Sequence, residues 1–234
     1  MSNLRPAVPN SVKLQLRQEA GFGCCRCGHP FIQYHHIVPW AEENHFRPED
    51  MMILCGQCHP LCTVGAITEA DQRALKSRPK NIVDKLVRGQ LYVNTTELVV
   101  NLAGGRSVET PNLLVLSGET VLSARRDAEH GRVLISARIH GQDGQTIGEL
   151  NDNEWSMSPN SVWDFESYPL HATVRLAARQ IALKIDVRND EIELAGNWFH
   201  RGEDIEFSSA GARIGAMRIG SMNADYCSSL INVF

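Results

Sequence analysis

The 234-residue chain predicts an α+β fold in two parts. A small cysteine-rich unit of short helices and strands is expected over about residues 1–90, followed by an antiparallel β domain, sandwich or barrel, over about 91–234. Two observations predict this. Six of the seven cysteines (Cys24, Cys25, Cys27, Cys55, Cys58 and Cys62) fall within 39 residues, leaving only Cys227 outside. From about Leu91 the hydrophobic pattern changes to short segments of period two separated by Gly, Asn and Asp, the signature of half-buried strands joined by tight turns. Charge divides the same way: residues 1–90 carry 11 Lys and Arg against 8 Asp and Glu, a net +3, and the remainder carries 12 against 19, a net -7. A mildly basic front and an acidic back are expected if only the front meets a phosphate backbone.

The first eleven residues, with Pro6 and Pro9, read as an unstructured lead. A short helix follows, with Asn10 or Ser11 as N-cap, Val12, Leu16 and Ala20 on one face and Gly21 as C-cap. Two apolar runs come next, around Phe31–Tyr34 and Ile37–Trp40, the second read as an apolar strand preceded by His35 and His36, then a polar loop ending at Pro48. Thr68 to Arg88 reads as a helix ended by Gly89 and broken or kinked at Pro79. Its Arg73, Lys76, Arg78, Lys80, Lys85 and Arg88 form either a phosphate-contacting surface or a solvated helix face.

In the back half Gln180–Arg188 shows the alternation best, with Ile181, Leu183, Ile185 and Val187 facing inward. Arg188-Asn189-Asp190-Glu191 then reads as a hairpin turn. Further strands are legible at Arg132–His140, Ala172–Ala177 and Arg213–Ile219. The chain has no apolar run long enough to span a bilayer and no secretion signal, so a cytoplasmic protein is expected.

Without an export signal, clustered cysteines read as metal ligands rather than a disulfide framework. Cys24-Cys25-Arg26-Cys27 and Cys55-Gly56-Gln57-Cys58 form two C-x2-C pairs with 27 residues between them. Each pair makes a knuckle presenting two thiolates, and two knuckles complete a tetrahedral structural Zn2+ site. The alternative is a set of buried free thiols. Between and beside the pairs lie Tyr34-His35-His36-Ile37-Val38-Pro39-Trp40 and Met51-Met52-Ile53-Leu54-Cys55-Gly56-Gln57-Cys58-His59.

In these residues the chain resembles the HNH endonuclease family, whose pattern is C-x2-C, then H-H-I-x-P, then an Asn-led apolar strand into L-C-x2-C-H. The match covers about residues 12–65. The resemblance implies a ββα-metal fold and metal-dependent hydrolysis of nucleic acid, most of all DNA, leaving a 5′ phosphate and a 3′ hydroxyl. His36 matches the general base, a role that the ordinary imidazole pKa near 6.5 suits. His35 and His59 match ligands of a single catalytic cation, Mg2+ or Mn2+, so three imidazoles would gather around one hydrated ion. Bacterial restriction and phage defence are settings implied by analogy, and the β domain would serve targeting, regulation, a partner protein or homodimerisation.

The sequence departs from the pattern twice. Where the family places Asn, this chain has Asp50, which accepts hydrogen bonds but donates none once ionised. Where many members have a further His, it has Thr63. The competing reading is therefore a catalytically silent zinc module that binds nucleic acid or protein. His29, Asn44 and His45 are weaker loop candidates; His130, His140, His171 and His200 show no ligand spacing. Trp155, Trp163 and Trp198 read as core residues before a base-stacking platform.

Overall fold

The computed structural model describes residues 6–234, and the chain divides into two compact units, Met1–Val87 and Arg88–Phe234. Part of the expected N-terminal lead lies outside the described residues, and Pro6 to Pro9 carry no regular structure.

Unit 1 contains helix α1 (Asn10–Glu19), strands β1 (Ile32–His36) and β2 (Met51–Cys55), and helices α2 (His59–Thr63), α3 (Glu69–Ser77) and α4 (Lys80–Asp84). The α1 N-cap is Pro9 rather than Asn10 or Ser11, and no side chain caps it; the proline ring holds φ where a helix can start. Its end is a Schellman closure, with Gly21 N–H donating to the Gln18 carbonyl and Phe22 N–H to that of Arg17 while Gly21 takes φ 63°. Leu16 and Ala20 are buried on one face of α1, which packs on β2. β1 and β2 pair antiparallel, Ile32 opposite Cys55 and His36 opposite Met51. Every residue of β2 is buried, and Met51 to Leu54 form the middle of the unit's core with Leu16, Ala20 and Ile37.

Two expectations for this unit are corrected. Ile37–Trp40 is not a strand: Ile37 N–H donates to the Asp50 carbonyl, closing the sheet just beyond His36, and the chain then leaves in a loop. The second is where the helical stretch from Thr68 ends: it breaks at Pro79 into two helices as expected, but Gly89 does not stop it. Thr68 caps α3 through a reciprocal box with Asp71, and α4 ends at Lys85 in the left-handed region (φ 56°), so Gly89 stops nothing and lies in a strand, Val87–Gln90.

Unit 2 is a large sheet of short strands running to Val233. Gln180–Arg188 is a strand with the expected bounds, and Arg188 pairs with Glu191 across Asn189 and Asp190, whose positive φ values make the twist-matched two-residue turn. Val133–His140 and His171–Ala177 are strands, but Arg213–Ile219 is a hairpin, Gly211–Ile214 pairing with Met217–Ile219. The pairing is not wholly antiparallel. Glu191–His200 runs parallel to Val99–Leu102, Ala224–Asp225 to Gly105–Val108, and Ser229–Val233 to Asn112–Leu116. Alternation along Gln180–Arg188 also fails midway, since Ala182 and Asp186 are buried as well as Leu183 and Ile185. Trp155 and Trp198 are fully buried, each edge-on to a phenylalanine, so neither offers a stacking platform.

Candidate functional site

The two knuckles converge. The thiol sulfurs of Cys24, Cys27, Cys55 and Cys58 all lie within 4.8 Å of one another, and among the described residues no other group of His, Cys, Asp or Glu converges in this way. Cys27 Sγ is 3.6 Å from Cys55 Sγ and 3.8 Å from Cys58 Sγ. Zn–S bonds of about 2.3 Å set tetrahedral S–S edges of about 3.8 Å, whereas a disulfide needs about 2.05 Å. The donor set therefore fits a zinc-like ion and not a crosslink.

Each knuckle is built by the backbone. Gly28 N–H donates to the Cys24 carbonyl, Cys24 N–H to that of His29, and Cys58 N–H to that of Cys55. The buried amide of Asn81 in α4 donates to the Gly21 and Gly28 carbonyls, 2.9 and 3.3 Å away, holding the first knuckle from behind. A side chain at Gly28 would strike that amide at 2.3 Å, and φ there is +81°. Burial raises the pKa of the Cys24 and Cys27 thiols, so ionising all four sulfurs calls for a compensating cation. Arg26 supplies part of that charge, its guanidinium donating to Cys58 Sγ at 3.6 Å. Cys25 and Cys62, the thiols outside the pairs, are buried, and burial pushes Cys25 up to about 11.

His35 and His36 are adjacent on β1, so strand alternation sends their rings to opposite faces. His35 meets His59, the first residue of α2, with ring centroids 4.8 Å apart and planes perpendicular. Two imidazoles on one divalent ion at about 2.1 Å hold their ring centres about 5 Å apart, a separation that an edge-on ring contact shares. His35 Nε2 also lies 2.9 Å from Gln72 Oε1. His36 packs instead against the rings of Trp40, His45 and Phe46, 5.0 to 6.0 Å away, so the expected gathering of three imidazoles is corrected: His35 and His59 meet, and His36 sits in a separate ring cluster. Its Nε2 donates to the His45 carbonyl at 3.0 Å, which puts the lone pair of the neutral ring on Nδ1.

His45 is not a loop group reaching outward. It is buried, its Nε2 donates to the Val38 carbonyl at 3.1 Å, and its Nδ1 accepts from Arg47 N–H at 3.2 Å. The ring thus pins the loop whose carbonyl holds His36. Sequence reasoning missed this role and Gln72 entirely; a lone His in a polar loop and a lone Gln on an otherwise exposed helix carry no spacing signal.

Asp50 ends a 3-10 turn, Pro48–Asp50, immediately before β2. Its backbone carbonyl braces Ile37, while its carboxylate accepts from Arg47 Nε at 2.8 Å and Arg73 Nη2 at 3.1 Å. The Arg47 hydrogen bond, then that of Arg73, hold its pKa below the ordinary carboxylate value. Thr63 is exposed, and its hydroxyl donates to the His59 carbonyl one turn back. Several cations of the expected phosphate surface are paired internally: Arg73 with Asp50 and Glu69, Lys76 with Glu19, and Lys80 with Asp84. His29 and Asn44 are exposed, the former accepting from Phe31 N–H.

A cavity of about 510 Å³ in unit 1 is lined by Arg26, Arg78 and Lys80 over an apolar floor including Leu75 and Val83, and holds none of His35, His36 and His59. In unit 2 His200 is buried with neither ring nitrogen hydrogen-bonded among the described residues, beside a polar cavity of about 220 Å³ that it lines with Glu119, Arg138 and His140. His130 is exposed and bound to Asp127, and His171 is hydrogen-bonded to Thr173. No helix among the described residues is long and apolar enough to cross a membrane.

No curated protein and no solved structure matches the chain. Residues 24–61, which contain the four converging cysteines and the three histidines of β1 and α2, match the family model for HNH endonuclease.

Proposed function

We propose that unit 1 is a metal-dependent endonuclease centre that hydrolyses phosphodiester bonds in nucleic acid, with DNA as its substrate, and that unit 2 targets or regulates it. The observation that carries the reading is the fixed tautomer of His36. A carbonyl can only accept, so the Nε2 proton stays on the His45 carbonyl and the neutral ring presents Nδ1 as its basic atom. That is what a general base for water needs: a held orientation and one defined basic nitrogen at neutral pH. Trp40 and Phe46 keep the ring from rotating, and the loop that supplies the carbonyl is itself pinned by His45.

His35 and His59 would hold the divalent cation, Mg2+ or Mn2+, which when bound stabilises charge on the scissile phosphate and its leaving oxygen. Asp50 acts by bracing rather than by chemistry: its carbonyl closes the strand end below His36, and its carboxylate ties the loop residue Arg47 to Arg73 of α3. The four-cysteine cluster, with Zn2+ as the ion its sulfur spacing fits, keeps β2 and α2 in register so that His59 meets His35.

A second reading has its own observation. Thr63 commits its hydroxyl to its own helix, and Asp50 is neutralised by two arginines, so the ligand set beyond His35 and His59 is thin. This favours a zinc module that binds nucleic acid without cutting it. A panel of plasmid, linear duplex, single-stranded DNA and RNA, incubated with Mg2+ or Mn2+, separates the two. Cleavage that EDTA stops supports the nuclease; binding without cleavage of any substrate supports the silent module.

A further inference from the structure

We infer that Gln72 is a positioning residue that sets His35 as its Nε2–H tautomer and thereby makes Nδ1 the atom His35 offers to a divalent cation. The inference deepens the nuclease reading for the cation and stands on separate geometry for the tautomer. Gln72 is buried (6% exposed), although its neighbours on α3, Ala70, Asp71 and Arg73, are exposed. Its side chain spans from its own helix to a strand residue 37 positions earlier.

The amide orientation follows from its two partners. Gln72 Nε2 donates to the Ile67 carbonyl at 3.0 Å, and Oε1 is the atom 2.9 Å from His35 Nε2. Flipping the amide would set Oε1 against the Ile67 oxygen, two acceptors with no proton between them. Oε1 therefore faces His35, and because it only accepts, the proton sits on His35 Nε2 and the lone pair on Nδ1. A ring nitrogen that donates to a fixed neighbour both selects the tautomer and orients the ring for a metal.

The helix is built to hold this contact. The Thr68–Asp71 capping box fixes where α3 starts, which places the Ile67 carbonyl one turn before Gln72. The next residue, Arg73, binds the Asp50 carboxylate, so one turn of α3 touches both the His35 ring and the base of the His36 strand end. Gln72 lies beyond the segment 24–61 that the family model matches.

The test is the 15N spectrum of His35 in zinc-loaded full-length protein at pH 8, without other divalent ions, for wild type, Gln72→Leu and Gln72→Glu, followed by Mn2+ titration. The expected wild-type signal is a protonated Nε2 and an unprotonated Nδ1. Gln72→Leu removes the acceptor, mixes the tautomers and weakens Mn2+ binding by roughly 10–100-fold. Gln72→Glu keeps an acceptor opposite His35 Nε2 and so keeps the wild-type tautomer, while its second oxygen loses the hydrogen bond to the Ile67 carbonyl. All three retain one zinc per chain. A protonated Nδ1 in wild type, or a Gln72→Leu protein with unchanged tautomer and Mn2+ affinity, overturns the inference. Wild type that binds no Mn2+ yet shows the Nε2–H tautomer overturns the cation reading while leaving the tautomer assignment standing.

Discussion

In unit 1 the buried cluster of Leu16, Ala20, Ile37 and Met51–Leu54 is small, and Cys24, Cys55 and Cys58 are part of it; in unit 2 Trp155, Phe165, Trp198 and many aliphatic residues fill a sheet with no such group. The first unit needs a staple because so short a segment, with helices of five to ten residues, buries little apolar surface against its chain entropy. The second closes its own core by long-range strand pairing. A metal-pinned hairpin can hold histidines in fixed company without a large core around them, and His35 and His36 at the strand end are themselves buried.

The sharpest way to break this comparison is to remove the staple. Metal ions supply roughly 10–16 kcal/mol to isolated zinc-finger peptides, as much as a whole domain's net stability of about 5–15 kcal/mol. Stripping the ion with a strong chelator, or Cys55→Ser, is expected to unfold unit 1 while the β-sheet circular dichroism of unit 2 persists. Retention of the α1 and α3 helical signal at unchanged melting temperature would show that the apolar cluster suffices alone.

The complementary change is Trp198→Ala, which empties a fully buried site next to Phe207 in unit 2. A loss of about 3–5 kcal/mol is expected in the urea transition followed by β-sheet signal, with zinc content still one per chain. Loss of zinc together with the sheet would mean that the two units unfold as one.

Acid should reach the units through different atoms, with smaller effect. In unit 2 burial first of all lowers the pKa of His200 below its ordinary 6.5. The neutral form is favoured in the fold, so this contribution is full above about 6.5 and is lost as pH falls through that value towards the lower folded one. Urea midpoints of the unit 2 transition should therefore drop between pH 7.5 and 5.5, and drop less in His200→Phe. Equal slopes for both proteins would remove His200 as a cause. In unit 1 protons compete with the metal for the four thiolates, so acidification should release zinc.

Much of this is readable in the chain. The paired cysteines, the turn at Asn189-Asp190 and the break at Pro79 are local: each depends on a few neighbouring residues whose chemistry admits one solution. What is not readable is long-range. The Gln72–His35 contact joins residues 37 apart, and the parallel pairing of Glu191–His200 with Val99–Leu102 joins segments about 90 apart; neither leaves a period in the sequence. Asp186 reads as a solvent position in an alternating strand and is buried, with His171, Lys184 and Arg188 around its carboxylate. His45 reads as a loop residue able to approach phosphate, and its hydrogen bonds to Val38 and Arg47 make it a structural pin.

The central claim is that His36, with Nε2 held by the His45 carbonyl, acts as the base of a metal-dependent nuclease. It is tested most directly by single-turnover nicking of supercoiled plasmid in Mn2+, wild type beside His36→Ala, with zinc stoichiometry checked in both. Losing the imidazole is expected to slow nicking by roughly 10²–10⁴-fold, at one zinc per chain throughout. Equal rates from the two proteins would contradict it.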